Sequence, residues 1–444
     1  MYNYTYLDNS EIFYEAHESL NYDFKEKLFN VPLGRKFDFK NASDIFKNQK
    51  SPFSQSYFGH QFGNPVILGD GRQIIIGETL LDHSPVDIAV KGSGPTRYSR
   101  GGDGLLPIDA AIKEYIYSEF LYNIHIPTTR SLALLETTEI AEREVDKTAA
   151  LLIRVANSHL RVGTIQFGNI AGEPYLKQIV DYSINRHYPY LKDIDDNQKY
   201  KMFFEMVVRK QAELVAHWQS VGFVHGVMNT DNVTIDGTTI DFGPCAFLET
   251  YHQDAVFSQI DEGGRYRYQN QPKIMHWNLS KLGEAMISLF SDDEKEAVEI
   301  AQSVLDQFPK FYNRKWFTLM GEKIGIEDID YNDENDRKMI IEFLKEIEHR
   351  QLDYTNTFRQ LALGTLEFTP NYRDHVVDYD LMKQKNPSFV PRHHTVQQAI
   401  EDAINGDYNK VHEMLKASTK PYNDNVPEYL KESRGNDFYT TCGT

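Results

Sequence analysis

Cysteine is nearly absent, with only Cys245 and Cys442 in 444 residues. Two thiols cannot build a disulfide scaffold or a cysteine-rich zinc centre, and so low a count fits a reducing compartment. Basic residues are outnumbered, 47 against 65 acidic, for a formal charge of −18. A field of that sign repels nucleic acid and anionic lipid, so neither is expected as a main partner. A nucleoside triphosphate is not excluded, because its site needs only a local group of cations. No apolar run approaches the ~18–20 residues that span a bilayer. The stretch from Met1 to Glu15 is aromatic and acidic, and it lacks both the basic-then-apolar signal pattern and the arginine-rich transit pattern. A cytoplasmic protein is expected. There is also no low-complexity tract, long linker or internal repeat.

What is present is an ordinary globular balance, 41% hydrophobic and 25% charged, in a chain long enough for two or three domains or one large two-lobed enzyme. Residues 1–55 read as an N-terminal extension, irregular with short helical pieces. Residues 65–77 read as strand, tight turn and strand, with Gly69, Asp70 and Gly71 making the turn. A third strand ends at Lys91. Pro107 suits the first turn of a helix to about Tyr122, whose stripe is Ala111, Ile112, Tyr115, Ile116 and Phe120. Residues 149–156 form another strand. Beyond about residue 170 the pattern turns helical, led by Lys201 to Ser220 with Gly222 at its end. Two short strands are expected near Val233 and Thr238, and a polar, loop-rich stretch near 370–395. Strands with one helix followed by a larger helical part give an α+β fold of the protein-kinase-like, two-lobed kind. The first lobe spans 56–170. The second spans 171–444, with a helical extension and a tail bearing Cys442.

The sharpest segment runs from His225 through Asp231 and Asn232 to Asp241-Phe242-Gly243. In kinase-like folds a loop after a long helix carries a metal-holding Asn, and a following Asp-Phe-Gly carries the second ligand. Amide and carboxylate oxygens suit Mg²⁺. Asn232 and Asp241 are therefore the candidate metal ligands, although each motif alone reads equally as a turn. The usual base position, third in the run that begins at His225, is Val227. Asp231 is the remaining local carboxylate, so either catalysis is absent or the reaction geometry differs from ordinary phosphoryl transfer. His225 itself reads as structural.

Lys91, ending an apolar strand, is expected to pair with Glu114 on the following helix, with Glu119 the competing partner. Arg154 and Arg161 stand seven apart. An arginine inside an apolar strand needs an anion, either a phosphate or a structural carboxylate, and the residues leave both open. The glycine-rich, basic loop from Lys91 to Asp103 and Gly104 allows backbone N–H groups to approach phosphates. It is no Walker motif, and a surface loop is its plain alternative. His393 and His394 read as a loop feature and not as a metal site, and Tyr266 and Tyr268 as buried aromatics.

Taken in order, these elements resemble the selenoprotein O (SelO) family of kinase-like protein adenylyltransferases, in a bacterial, cysteine-containing form. The resemblance rests on Phe58-Gly-His-Gln-Phe62, Leu68-Gly-Asp-Gly-Arg72, the loop 91–104, Ile126-Pro-Thr-Thr-Arg130, the stretch 154–161, the segment 225–243, Gly264-Arg-Tyr-Arg-Tyr-Gln-Asn-Gln-Pro272 with Trp277-Asn-Leu279, and Asn386-Pro. Cys442 stands where the family carries selenocysteine or cysteine. The resemblance implies ATP bound in a flipped orientation and AMP passed to Ser, Thr or Tyr of a protein substrate, with release of pyrophosphate. It implies that Gly69, Gly71, Arg72, Lys91, Asp103, Gly104, Arg154, Arg161 and Asp241 serve the nucleotide. Asp231 would be the proton acceptor, and Asn232 and Asp241 would hold Mg²⁺ or Mn²⁺. UTP stays open as a donor. A kinase or a nucleotide-binding pseudokinase is the alternative. Cys245 and Cys442 are a candidate redox pair.

Overall fold

The computed structural model describes residues 13–15, 23–47, 52–61, 63–373 and 375–441. Its strands are β1 (Phe13–Glu15), β2 (Phe24–Phe29), β3 (Phe53–Gln61), β4 (Asn64–Gly69), β5 (Gln73–Leu81), β6 (Ser84–Lys91), β7 (Leu106–Pro107), β8 (Arg130–Ala141) and β9 (Lys147–Ala156). They form one sheet in the order β1-β3-β5-β6-β9-β8-β2, with β4 on β3 and β7 on β9. Two short helices, α1 (Val31–Lys36) and α2 (Ala42–Phe46), and one long one, α3 (Ile108–Asn123), complete the first lobe. The N-terminal stretch is less irregular than its sequence implies, because Phe24–Phe29 adds an edge strand antiparallel to β8.

The period of two sorts the side chains of this sheet. Ile74, Ile76, Val86, Ile88, Val90, Ile153 and Val155 share one face with Leu33, Ala42 and Ile45 of α1 and α2. The opposite face carries Ile75, Ala89, Ala150 and Leu152 against α3. Register then does something that spacing alone does not reveal. Gln73 is opposite Lys91, and Ala89 is opposite Arg154. All three polar side chains therefore lie on the α3 face at one end of the sheet, beneath Glu114.

After β9 the chain enters α4 (Val162–Ala171), α5 (Glu173–His187) and α6 (Asp196–Val221). Gly222 ends α6 in the left-handed region, φ 73°, and its N–H caps carbonyls of the last turn. The two strands expected near Val233 and Thr238 do not pair as a hairpin. Thr234 bridges to Arg161 and Thr239 to Thr128 instead. The reason is local: the Thr234 hydroxyl accepts from Thr238 N at 2.9 Å and donates to Thr238 O at 2.8 Å, closing a turn in place of a ladder. Helix α7 (Gln271–Ala285) and the helices that follow complete the second lobe. His393 and His394 open the helix His393–Ile404 and do not lie in a loop. His393 stacks on Phe438 and His394 Nδ1 lies 3.3 Å from Glu249 Oε1. Among the described residues no helix is long and apolar enough to cross a membrane.

Lys323, in the helix Phe308–Lys323, is buried with Nζ 2.7 Å from Asn386 Oδ1 and 4.3 Å from the Phe358 ring centre. Burial lowers its pKa from 10.5 to about 7. Between those values the unfolded chain binds a proton that the folded chain does not. Stability therefore falls as pH drops from 10.5 towards 7 and is flat below. Replacing Lys323 with methionine is expected to remove this component, visible as a smaller change in urea midpoint between pH 7 and 10 than in the wild type.

Candidate active site

Three cations converge on one carboxylate between the lobes. Asp241 Oδ1 accepts from Lys91 Nζ at 2.9 Å and from Arg154 Nη2 at 2.7 Å, and its Oδ2 accepts from Arg161 Nη1 at 2.9 Å. Glu114 Oε2 takes a second bond from Lys91 at 2.6 Å, and Glu114 Oε1 pairs with the Arg154 guanidinium. Gln73 Oε1 receives Arg154 Nη1 at 3.0 Å. Glu119 is not the partner of Lys91: its carboxylate holds Arg130 at 2.8 and 2.7 Å. The choice follows from helical phase, since Glu114 and Glu119 lie five residues apart and face different strands.

Burial would raise the pKa of Asp241, but Lys91, Arg154 and Arg161 outweigh it and hold the carboxyl well below its usual range. Glu114 is likewise lowered, burial being outweighed by Arg154 and Lys91. Asp241 has φ 64°, a left-handed conformation that a non-glycine residue seldom takes and that aims its carboxylate at the cations. Lys113, next to Glu114, donates from Nζ to Gly243 O at 2.6 Å and so ties α3 to the Asp-Phe-Gly turn. Lys113→Met is expected to lower kcat by about 10-fold while nucleotide affinity stays within about twofold, as for an outer-layer orienting contact. Steady-state kinetics beside equilibrium nucleotide binding check this.

The second carboxylate differs in kind. Asp231 Oδ1 is buried and has no hydrogen-bond partner. A side chain on Gly59 would put its Cβ 2.8 Å from that oxygen, so glycine here leaves the room in which it sits. Burial pushes the Asp231 pKa up to about 6, with Arg161 opposing. Asn232 Nδ2 donates to Val227 O at 3.0 Å, which turns the amide oxygen the other way. His225 is buried, with Nε2 2.9 Å from Ile240 O, a structural role.

A cavity of about 700 Å³ opens over this group. Its walls include Gly69, Gly71, Arg72, Lys91, Asp103, Gly104, Glu114, Arg161, Val227, Asp231, Asn232 and Asp241. The residues expected to serve the nucleotide, the metal and the proton are thus brought together, with one exception. Arg154 is 1% exposed and lies beneath the cavity rather than in its wall. Asp103 lines the cavity with its carboxylate already held by Arg143 at 2.7 Å and by Leu105 N at 2.9 Å. Burial raises its pKa, and Arg143 outweighs that to keep it ionised. Gly69 lies against Tyr98, whose ring a Cβ would meet at 2.3 Å.

Sequence reasoning missed Tyr57, Asp70 and Gln73. Tyr57 lies under the Arg161 guanidinium at 4.7 Å. Asp70 is buried, accepts from Gln55 N at 3.1 Å and stands 3.8 Å from Arg161. Its place in Gly-Asp-Gly reads as a turn, and only the register reveals the second role. Cys245 is fully buried, with burial pushing its thiol up to about 12. Cys442 lies outside the described residues. Thr440, two positions earlier, donates from Oγ1 to Pro244 O at 2.6 Å, so the tail reaches the residue next to Cys245.

Among the described residues no three His, Cys, Asp or Glu side chains group so as to hold a metal by themselves. A divalent ion at this site would draw on Asn232, Asp241 and the oxygens of a phosphate, the sparse protein contribution that suits Mg²⁺.

Residues 20–416 match the family model described as protein adenylyltransferase SelO. The protein nucleotidyltransferase YdiU of Bacillus cereus (strain ATCC 10987 / NRS 248) is 45% identical over 430 residues, covering 91% of this chain and 87% of the relative. The relative of the same name from Bacillus thuringiensis (strain Al Hakam) is 43% identical with the same coverage. That of Bacillus anthracis (strain CDC 684 / NRRL 3495) is 44% identical over 404 residues, 86% of this chain and 82% of its own.

Proposed function

The chain belongs to the SelO family of protein adenylyltransferases and is a protein nucleotidyltransferase, and from that premise we propose how its cleft works. The cleft takes ATP with Mg²⁺ or Mn²⁺ and passes AMP to a Ser, Thr or Tyr hydroxyl of a protein substrate, in the cytoplasm. The observation that carries this reading is the contrast between two carboxylates in one cavity. Asp241 is held ionised among three cations, while Asp231 is poised near pH 6 with a free buried oxygen. Environments that push two acids apart mark one for charge and one for a proton.

In this reading Asp231 accepts the proton of the incoming hydroxyl as the oxygen–phosphorus bond forms. The bond from the α-phosphorus to the bridging oxygen breaks, and pyrophosphate leaves. Lys91 and Arg161 stabilise the charge that grows on the pyrophosphate, usually the largest single contribution to such a rate. Arg154, deeper and committed to Glu114, supports the same phosphates through its charge. Gly69, Gly71 and Arg72 on one side and Asp103 and Gly104 on the other enclose the nucleotide, and Arg143 keeps the Asp103 loop in shape. Asn232 and Asp241 would hold the divalent ion, which neutralises phosphate charge when bound.

Val227 supports a flipped nucleotide. It lines the cavity where a kinase would present its base, so a γ-phosphate there would meet no proton acceptor. A structure with a non-hydrolysable ATP analogue and Mg²⁺ tests this. The α-phosphate is expected beside Asp231, with the γ-phosphate at Lys91 and Arg161. A γ-phosphate beside Asp231 would overturn the flipped orientation.

A further inference from the structure

The segment Gly264–Pro272 has no part in the chemistry above, yet it is firmly built. The two carboxylate oxygens of Asp261 accept from Arg265 N at 2.8 Å and Tyr266 N at 2.7 Å. Asn270 Nδ2 donates to Gly264 O at 3.3 Å and Arg265 O at 3.4 Å. Tyr266 is buried, and its hydroxyl donates to Asn229 Oδ1, two residues before Asp231. The backbone of Arg265 is thereby fixed on both sides, leaving its side chain as the variable part.

That side chain is linked to the catalytic loop by a chain of side-chain contacts. Its guanidinium lies over the Trp277 ring at 4.8 Å. Trp277 meets His60 edge-on at 5.3 Å, and His60 Nδ1 is 3.1 Å from Thr230 Oγ1. Contacts thus run unbroken from Arg265 to the residue preceding Asp231. A Cβ on Gly63, in the turn between β3 and β4, would lie 3.8 Å from the guanidinium, so the arginine spans from the second lobe to the first.

The Arg265 guanidinium has a neutral neighbour in the Tyr266 hydroxyl, on which its charge and a side-chain hydrogen bond act. In a chain with 65 acidic residues, Arg265 forms no ion pair with a carboxylate among the described residues, whereas Arg267, two positions on, pairs with Asp254 at 3.3 Å. Arg265 Nε is buried and has no hydrogen-bond partner. Exposed Arg100, a cation of the cavity wall, has φ 50° and acts on Asp231 by its charge. A guanidinium placed over an indole, with no carboxylate bonded to it among the described residues, is suited to a planar carboxylate.

We propose that Arg265, seated on Trp277 beside His60, recognises an Asp or Glu side chain close to the acceptor hydroxyl in the protein substrate. The inference rests on the reading of Asp231 as the group that meets that hydroxyl. Arg265 is then a specificity-determining residue that takes no part in binding ATP. Charge-assisted pairing of this kind implies a preference of roughly 10–100-fold in kcat/KM for acidic over basic flanking residues.

The test maps modified sites across a cell lysate treated with α-tagged ATP and either wild type, R265E or R265K, with ATP affinity measured for each. Peptides made from the best sites, with the flanking acid changed to Gln or Lys, give the kinetics. Wild type is expected to modify hydroxyls with Asp or Glu within a few residues. R265E is expected to lose or invert that preference, R265K to keep part of it, and all three to bind ATP within about twofold. The same flanking preference in wild type and R265E would overturn the proposal. So would equal loss of labelling by R265E and R265K with a lowered melting temperature, which marks a structural role. No α-label from the wild type would instead remove the transfer reaction itself.

Discussion

Replacing Asp241 with asparagine is expected to cut AMP transfer by at least about 10³-fold, the scale on which removing one preorganised charge acts on a transition state. Affinity for ATP without metal is expected to hold or rise. The distinction comes from the geometry. In the structure, Asp241 occupies Lys91, Arg154 and Arg161 together, the same cations that phosphates would seek. Removing its charge frees them for phosphate while taking away half of the Asn232–Asp241 pair. The folded protein should also lose stability, because Lys91 and Arg154 then keep only Glu114, and Arg161 only Asp70 at 3.8 Å, as carboxylate partners, and a buried charge without its full partner is costly. Equilibrium binding of ATP with and without Mg²⁺, beside transfer kinetics, separates these effects. A variant that loses ATP binding in both conditions would mean that Asp241 organises the nucleotide pocket and not the metal.

Asp231→Asn is expected to lower kcat/KM by about 10²–10⁴-fold, the usual worth of a general base, and to change the shape of the pH profile. The Asp231 pKa is about 6 because burial raises it. Above that value the carboxylate is ready to take a proton. Below it the group is already protonated, and the rate should fall about tenfold per pH unit. In the asparagine variant this acidic limb should vanish, leaving a low rate without a break near pH 6. ATP affinity should change little, since the free oxygen of Asp231 is not bonded to any of the cations around Asp241. A limb near pH 6 that survives in the variant would place the titrating group elsewhere.

Much of the site was legible because charge in an apolar setting is conspicuous. Lys91 ends an apolar strand and Arg154 sits inside one, and both prove to need carboxylates. The sequence left open whether Arg154 meets a phosphate or a structural partner, and the structure gives it Glu114, Asp241 and Gln73. The choice of Glu114 over Glu119 needed the helix phase against particular strands. Gln73 and Asp70 were hidden for a related reason, since cross-strand register assigns them their partners. The expected hairpin near Val233 failed because the Thr234 hydroxyl closed a turn on the Thr238 backbone that alternation alone suggests is a ladder. His393 and His394 looked like loop because the stretch before them is polar, yet they start a helix. The edge strand Phe24–Phe29 alternates poorly, with Lys25, Glu26 and Lys27 in its middle, as suits a strand paired on one side only.

The measurement that bears most directly on the whole account is a parallel incubation with a protein acceptor, metal and ATP labelled at either the α or the γ phosphorus, with Asp241→Asn and Asp231→Asn alongside. Protein-bound label from the α position alone, lost in the Asp241 variant and strongly reduced in the Asp231 variant, is the predicted result. Label from the γ position, or α-label that survives both substitutions, would contradict AMP transfer by this cleft.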